Sequence, residues 1–199
     1  MKTTRRGFVI SMLAGAAVIG GAALANVPLV KQAHAAGLAR RKSLVLFYSW
    51  SGNTKAIATQ ISQKTGAEIL ELELVKPYST NYNTCIDEAK KDQEQGARPA
   101  IQTAIPDLSE YDVIYLGYPN WWGTIPMHFY TLFEQNAFSG TIAPFCSHGG
   151  GGLGRSVSDI RRLAPNATVT DGLSVSSAGG RSLSGDIDNW LGRTGLASR

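Results

Sequence analysis

The chain has 199 residues, 43% of them apolar and 17% charged, a balance that suits one compact domain and excludes collagen-like, disordered and disulfide-scaffold proteins. Its formal charge of +4 belongs to Lys2, Arg5, Arg6 and Lys31, because beyond residue 35 the remaining 15 basic residues meet 15 acidic ones. A neutral body has no basic stripe of the kind that binds nucleic acid.

The first 35 residues contain no Asp or Glu. Thr4-Arg5-Arg6-Gly7-Phe8-Val9 opens an uncharged run to Val30 that resembles a twin-arginine export signal. Small residues at Ala33 and Ala35 predict cleavage after Ala35, giving a signal over residues 1–35, a tether over 36–42 and a domain over 43–199. An uncleaved membrane anchor is the alternative, since Phe8 to Val30 is long enough to span a bilayer of roughly 20 residues' thickness, although its Gly and Ala content weakens it. Export places the domain in the periplasm or on the outer side of the cytoplasmic membrane. The membrane is then touched only through an uncleaved leader. Twin-arginine export, as the resemblance implies, carries folded proteins and so makes a cofactor expected. Cys85 and Cys146 are expected to lie far apart and free.

In the body, Leu44 to Tyr48 is a continuous apolar run predicting a buried first strand. Thr54 to Lys64 carries Ile57, Ala58 and Ile61 at helical spacing, and Gly66 stops it. Glu and Leu alternate over Leu70 to Leu74, as in a strand at a sheet edge with one wet side. Pro77 to Pro106 reads as an excursion holding a polar helix over Thr84 to Gln95. Val113 to Gly117 predicts the third strand, Pro126 to Glu134 a helix, and Thr141 to Cys146 a fourth strand, in which Pro144 should mark an edge or a bulge. A fourth helix is expected over Gly154 to Leu163, with Asp159, Arg161 and Arg162 on a solvated face, then a short fifth strand over Ala167 to Thr170. Leu183, Ile187, Trp190 and Leu191 form the apolar stripe of a last helix. Strands alternating with helices predict an open parallel α/β sheet with right-handed crossovers. Its ligand belongs at the carboxyl ends of the strands.

Three loops stand there. Ser49-Trp50-Ser51-Gly52-Asn53-Thr54 offers hydroxyls, a glycine and helix N-terminal amides to one phosphate monoester. It lacks the Gly-Lys-Ser/Thr of a Walker loop and the three spaced glycines of a dinucleotide fingerprint. A Ser-rich helix cap is the structural alternative. The second loop, Tyr118-Pro119-Asn120-Trp121-Trp122-Gly123, sets adjacent tryptophans among turn formers, so at least one should offer a flat face to a ligand. Trp122 as a packing anchor with Trp121 at the surface is the plainer reading. The third, Ser147-His148 followed by four glycines from Gly149, lets backbone lie against a planar ring. His148 has two readings, a group that modulates the ring's charge or a structural loop histidine.

Phosphate, ring and ring in that order suit a mononucleotide with a large flat base. With its Tyr-Pro-Asn-Trp-Trp-Gly and His-Gly-Gly loops, the chain resembles the flavodoxin-like family from about Lys42 to Leu196. The resemblance implies an open five-stranded parallel sheet of order 2-1-3-4-5 with helices on both faces, and bound FMN. It implies the phosphate on the first loop, Ser49 to Thr54 with Trp50 beside it. The isoalloxazine would lie against Pro119, Asn120, Trp121, Trp122 and Gly123, closed on the other side by Ser147, His148, Gly149 and Gly150. The family's small electron carriers look strongly acidic, whereas this body is neutral. That difference favours flavin-dependent reduction of a small molecule such as a quinone, or a redox partner protein on the export side, with the flavin rather than any side chain as the catalytic group. The competing readings are a serine hydrolase using Ser51 and His148, which lacks the glycines of the nucleophile elbow, and a binding module without flavin. Cys85, Cys146, His128 and His148 lack paired metal-ligand spacing, and no metal is expected.

Overall fold

The computed structural model describes residues 41–197, so the export signal, its cleavage site and most of the tether lie outside the described residues. Strand β1 (Ser43–Phe47) is buried along nearly its whole length and leads through the first loop into helix α1 (Asn53–Thr65). The helix buries Ile57, Ala58 and Ile61 and ends at Gly66, as their spacing predicts. Strand β2 (Glu68–Glu71) is shorter than its Glu/Leu alternation suggests. The chain leaves the sheet at Leu72, whose amide donates to the Phe47 carbonyl, and Leu74 instead bridges antiparallel to Ile101. The excursion holds helix α2 (Tyr82–Gln95), started two residues before the predicted Thr84 because Asn81 caps it by accepting from the Thr84 amide.

Strand β3 (Val113–Pro119), helix α3 (His128–Gln135), strand β4 (Thr141–His148) and helix α4 (Ser156–Leu163) follow. The fifth strand is in two pieces, β5 (Thr168–Val169) and β6 (Leu173–Ser176), and the second piece is absent from the sequence reading. Helix α5 (Leu183–Thr194) buries Leu183, Ile187, Trp190 and Leu191, the predicted stripe. Each such side chain contributes about 1.5–3 kcal/mol by leaving water.

All strand pairs are parallel, in the order β2-β1-β3-β4-β5, with β6 also on β4. Pro144 therefore sits in an interior strand, not at the edge that was one of its two expected places. β5 pairs with Thr141 and Ile142, and β6 pairs with Phe145 to His148. The Ile142 carbonyl accepts from Thr170, so alternation turns the Pro144 nitrogen to the same side, where the fifth strand is interrupted. The missing donor faces the gap, and this is how the strand tolerates proline.

The sheet separates two cores. Leu44, Leu46, Ile114 and Leu116 point to the side covered by α3 and α4, while Val45, Phe47, Val113 and Tyr115 point to α1 and α5. Helices thus cover both faces. The first, second and third loops leave β1, β3 and β4 at their carboxyl ends, and the order reverses between β1 and β3, which fixes the crevice for a ligand. Among the described residues, no helix is long and apolar enough to cross a membrane.

Candidate functional site

The first loop enters α1 through Gly52, whose φ of 85° is left-handed and which carries no side-chain cap bond. Among first-turn amides, Lys55 finds the Ser49 hydroxyl at 3.2 Å. Those of Asn53 and Thr54 have no intrahelical acceptor and stand with the positive end of the helix dipole toward the loop. Ser51 and Gly52 are exposed, and the space where a Gly52 side chain would stand is open. Thr54 is different. Its buried hydroxyl lies 2.8 Å from that of Ser147, tying the first loop to the third. Trp50 donates from its indole nitrogen to the Ser79 carbonyl at 2.9 Å, which clamps the excursion to the first loop.

In the second loop, Trp121 and Thr124 exchange backbone hydrogen bonds of 3.0 and 3.1 Å around Trp122 and Gly123, whose φ values are 52° and 79°. Positive φ at both central positions defines a type I′ turn, ordinarily Asn-Gly. Placing tryptophan there costs about 1–2 kcal/mol. The turn directs the Trp122 indole onto α2, where it donates to the Ile86 carbonyl at 2.9 Å beneath the Lys90 ammonium, 47% exposed. Trp121 is the more enclosed of the two, edge-on to Tyr48 and Tyr78. This reverses the plainer sequence reading, in which Trp122 packed and Trp121 faced outward.

The third loop lies against the second. A side chain on Gly154 would collide with the Gly123 carbonyl, and that carbonyl accepts from the Arg155 amide at 2.8 Å. Asn120 joins the two loops: its amide nitrogen donates to the Gly152 carbonyl, and its backbone N–H donates to Ser147 at 2.8 Å. Because both neighbours of the side-chain nitrogen are carbonyls, the amide orientation is fixed. The Asn120 Oδ1 is then a buried acceptor with no partner. His148 Nδ1 accepts from the Gly150 amide at 2.9 Å, and its Nε2 meets the Ser174 hydroxyl at 3.0 Å. Both nitrogens organise the glycine loop, which is the structural reading of this histidine. Gly149 and Gly150 face open space.

Sequence reading missed several groups that shape this region. Tyr78, Ser79 and Ile86 come from the excursion, whose lack of periodicity hid its role as a wall. Asp159, expected on a solvated face, is 2% exposed. Its carboxylate accepts from the Thr124 hydroxyl and pairs with Arg155 at 3.1 Å and Arg162 at 2.8 Å. Burial alone would raise its pKa, but the bonds from Thr124 and Arg155 and the two guanidinium charges hold it below its ordinary value. Arg161 and Arg162 are exposed as expected. A spacing of 35 residues between Thr124 and Asp159 left no local signal. Cys85 and Cys146 are buried and free.

Comparison with known proteins agrees with this architecture. A family model described as Flavodoxin matches residues 42–193, and the chain belongs to that family. Among solved structures, a protein of Bacteroides eggerthii is 24% identical with a TM-score of 0.69, covering 78% of this chain and 98% of that one. A flavoprotein of Lactobacillus acidophilus, solved in complex with FMN, is 28% identical with a TM-score of 0.60 over 75% of this chain and 98% of its own. Oxidised flavodoxin 2 of Bacillus cereus shares the fold at 20% identity and a TM-score of 0.50, over 78% and 96% of the two chains. A search of curated proteins finds no match.

Proposed function

We propose that this chain is an FMN-binding redox protein that exchanges electrons with a small acceptor such as a quinone, or with a redox partner protein, on the export side of the membrane. The observation that carries the reading is Asn120 Oδ1. It is a buried acceptor left without a donor where the second and third loops meet, and an N–H on the edge of a heteroaromatic ring satisfies it. The Lactobacillus acidophilus relative in complex with FMN supports the choice of ring.

The residues present fit the group. Ser49, Ser51 and the amides of Gly52, Asn53 and Thr54 hold the phosphate, with helix-dipole support in place of a basic side chain. Pro119, Asn120, Trp121 and Gly123 would hold the ring from the second loop, and Gly149 and Gly150, held by His148, from the third. Trp50, Trp122, Thr54 and Ser147 serve as fastenings between walls rather than as faces for the ring. FMN supplies reversible one- and two-electron chemistry, and the protein supplies position and electrostatics.

A hydrolase built on Ser51 and His148 lacks support. His148 spends both nitrogens on Gly150 and Ser174, and Ser51 makes no hydrogen bond to it.

Titration of the purified chain with FMN and with riboflavin, followed by visible absorbance and flavin fluorescence, tests the reading. FMN is expected to bind on the order of a hundredfold more tightly, and Ser51→Ala to shrink that ratio. A colourless protein that takes up neither flavin overturns it in favour of a binding module.

A further inference from the structure

We propose that a groove between the first loop and the Leu72–Thr80 segment is a binding site for a planar organic cation, separate from the crevice between the second and third loops. The groove encloses about 710 Å³, and none of its lining residues comes from the loops after β3 or β4. Ser49, Trp50 and Ser51 come from the first loop, of which Ser49 and Ser51 belong to the phosphate cradle, and Tyr48 and Tyr78 meet Trp121 of the second loop edge-on.

Its walls are aromatic and its charge is negative. Tyr48, Trp50 and Tyr78 line it, with Pro77 and a Val75 that is 64% exposed completing the apolar surface. Tyr78 donates its hydroxyl to the Asp92 carboxylate at 2.7 Å, which raises electron density on the ring. Aromatic faces of this kind attract cations through their quadrupoles. Three charged side chains line the groove. Lys55 pairs with Glu71 at 2.7 Å and also feels the charge of Glu73, which is exposed and has no ion pair within 4.0 Å among the described residues; one cation against two carboxylates leaves a net negative charge.

The scaffold behind these groups is fixed before any ligand arrives. The Leu72 amide donates to Phe47, the Glu73 amide to the Thr103 hydroxyl at 2.7 Å, and the Val75 amide to Ala100. The Trp50 indole is held by Ser79. A preformed groove with aromatic walls and a net negative charge selects a flat cation over a neutral ring of the same shape.

The test compares 1,1′-dimethyl-4,4′-bipyridinium, a flat dication, with neutral 4,4′-bipyridine at pH 8, by calorimetric titration of the full chain without and with FMN. The expected result is one dication per chain, bound about tenfold more tightly than the neutral ring. Glu73→Gln, at an exposed position that leaves folding intact, should abolish that preference, and Tyr78→Leu should weaken both ligands. Equal affinity for the two rings, an unchanged preference in Glu73→Gln, or one-for-one displacement of the dication by FMN would each overturn the proposal. The titration without FMN decides the matter even where no flavin is taken up, so this inference and the flavin assignment fail separately.

Discussion

His128 is the most anomalous residue of the domain. It opens α3, is 0% exposed, and neither ring nitrogen has a hydrogen-bond partner. Its neighbours are aromatic, with the Tyr48 ring 4.3 Å away and that of Phe129 at 4.7 Å. Burial pushes its pKa from 6.5 down to about 3. The unfolded chain therefore binds a proton below pH 6.5 that the folded chain refuses until about pH 3. Stability contributed by the neutral ring is complete above the upper value and falls through that window by about 1.4 kcal/mol per pH unit. His128→Leu should remove this slope and, by eliminating the unpaired nitrogens, raise stability at pH 7 by about 1 kcal/mol. Urea unfolding at pH 7 and pH 4.5 measures both effects. An acid dependence as steep in the variant as in the parent would contradict the assignment.

Between elements, the second loop is held to α4 through one carboxylate. Asp159 reaches Thr124 from α4, and Tyr118 donates to the Ser156 hydroxyl at 2.8 Å one turn earlier. Asp159→Asn keeps an oxygen for Thr124 but surrenders the charge, and a loss of about 1–3 kcal/mol follows. Because the folded-state pKa of Asp159 is depressed, its contribution is present above the ordinary 3.8 and disappears as pH falls through the folded value. The difference in denaturation midpoint between parent and variant should therefore shrink toward acid. The same network shows what sequence can and cannot display. Buried runs such as Val113 to Gly117 and the stripe from Leu183 to Leu191 announce strands and helices because their periods are local. The three loops were legible for the same reason, as each is one contiguous stretch. Asp159 and Tyr78 were not, since their partners are distant in sequence. Strand β6 escaped because Leu173 and Val175 supply only two buried positions, beyond a break at Thr170 to Gly172.

At the scale of the whole chain, the leader and the domain make a joint prediction. The reading of Arg5 and Arg6 as an export signal requires a route that accepts folded cargo, which suits the proposed holding of a cofactor by loops from three different strands. Replacing both arginines with lysine should retain the protein in the cytoplasm while leaving its flavin binding unchanged, as cell fractionation and absorbance would show. Normal export of that variant would remove the leader as an argument for a cofactor loaded before transport.

The broken fifth strand has a consequence for the molecule in crowded solution. An open sheet has two outer strands, and a long flat one invites another chain to add itself by backbone pairing. On this side the outer strand is only two residues, then a gap, then four more, and the Trp190 indole pins the gap by donating to the Asp171 carbonyl at 2.9 Å. At the opposite side β2 is four residues long, with acids at both ends and the Lys55–Glu71 pair beside it. Among the described residues, neither border presents a long flat template for a neighbour, so the sheet as described protects its own edges against polymerising.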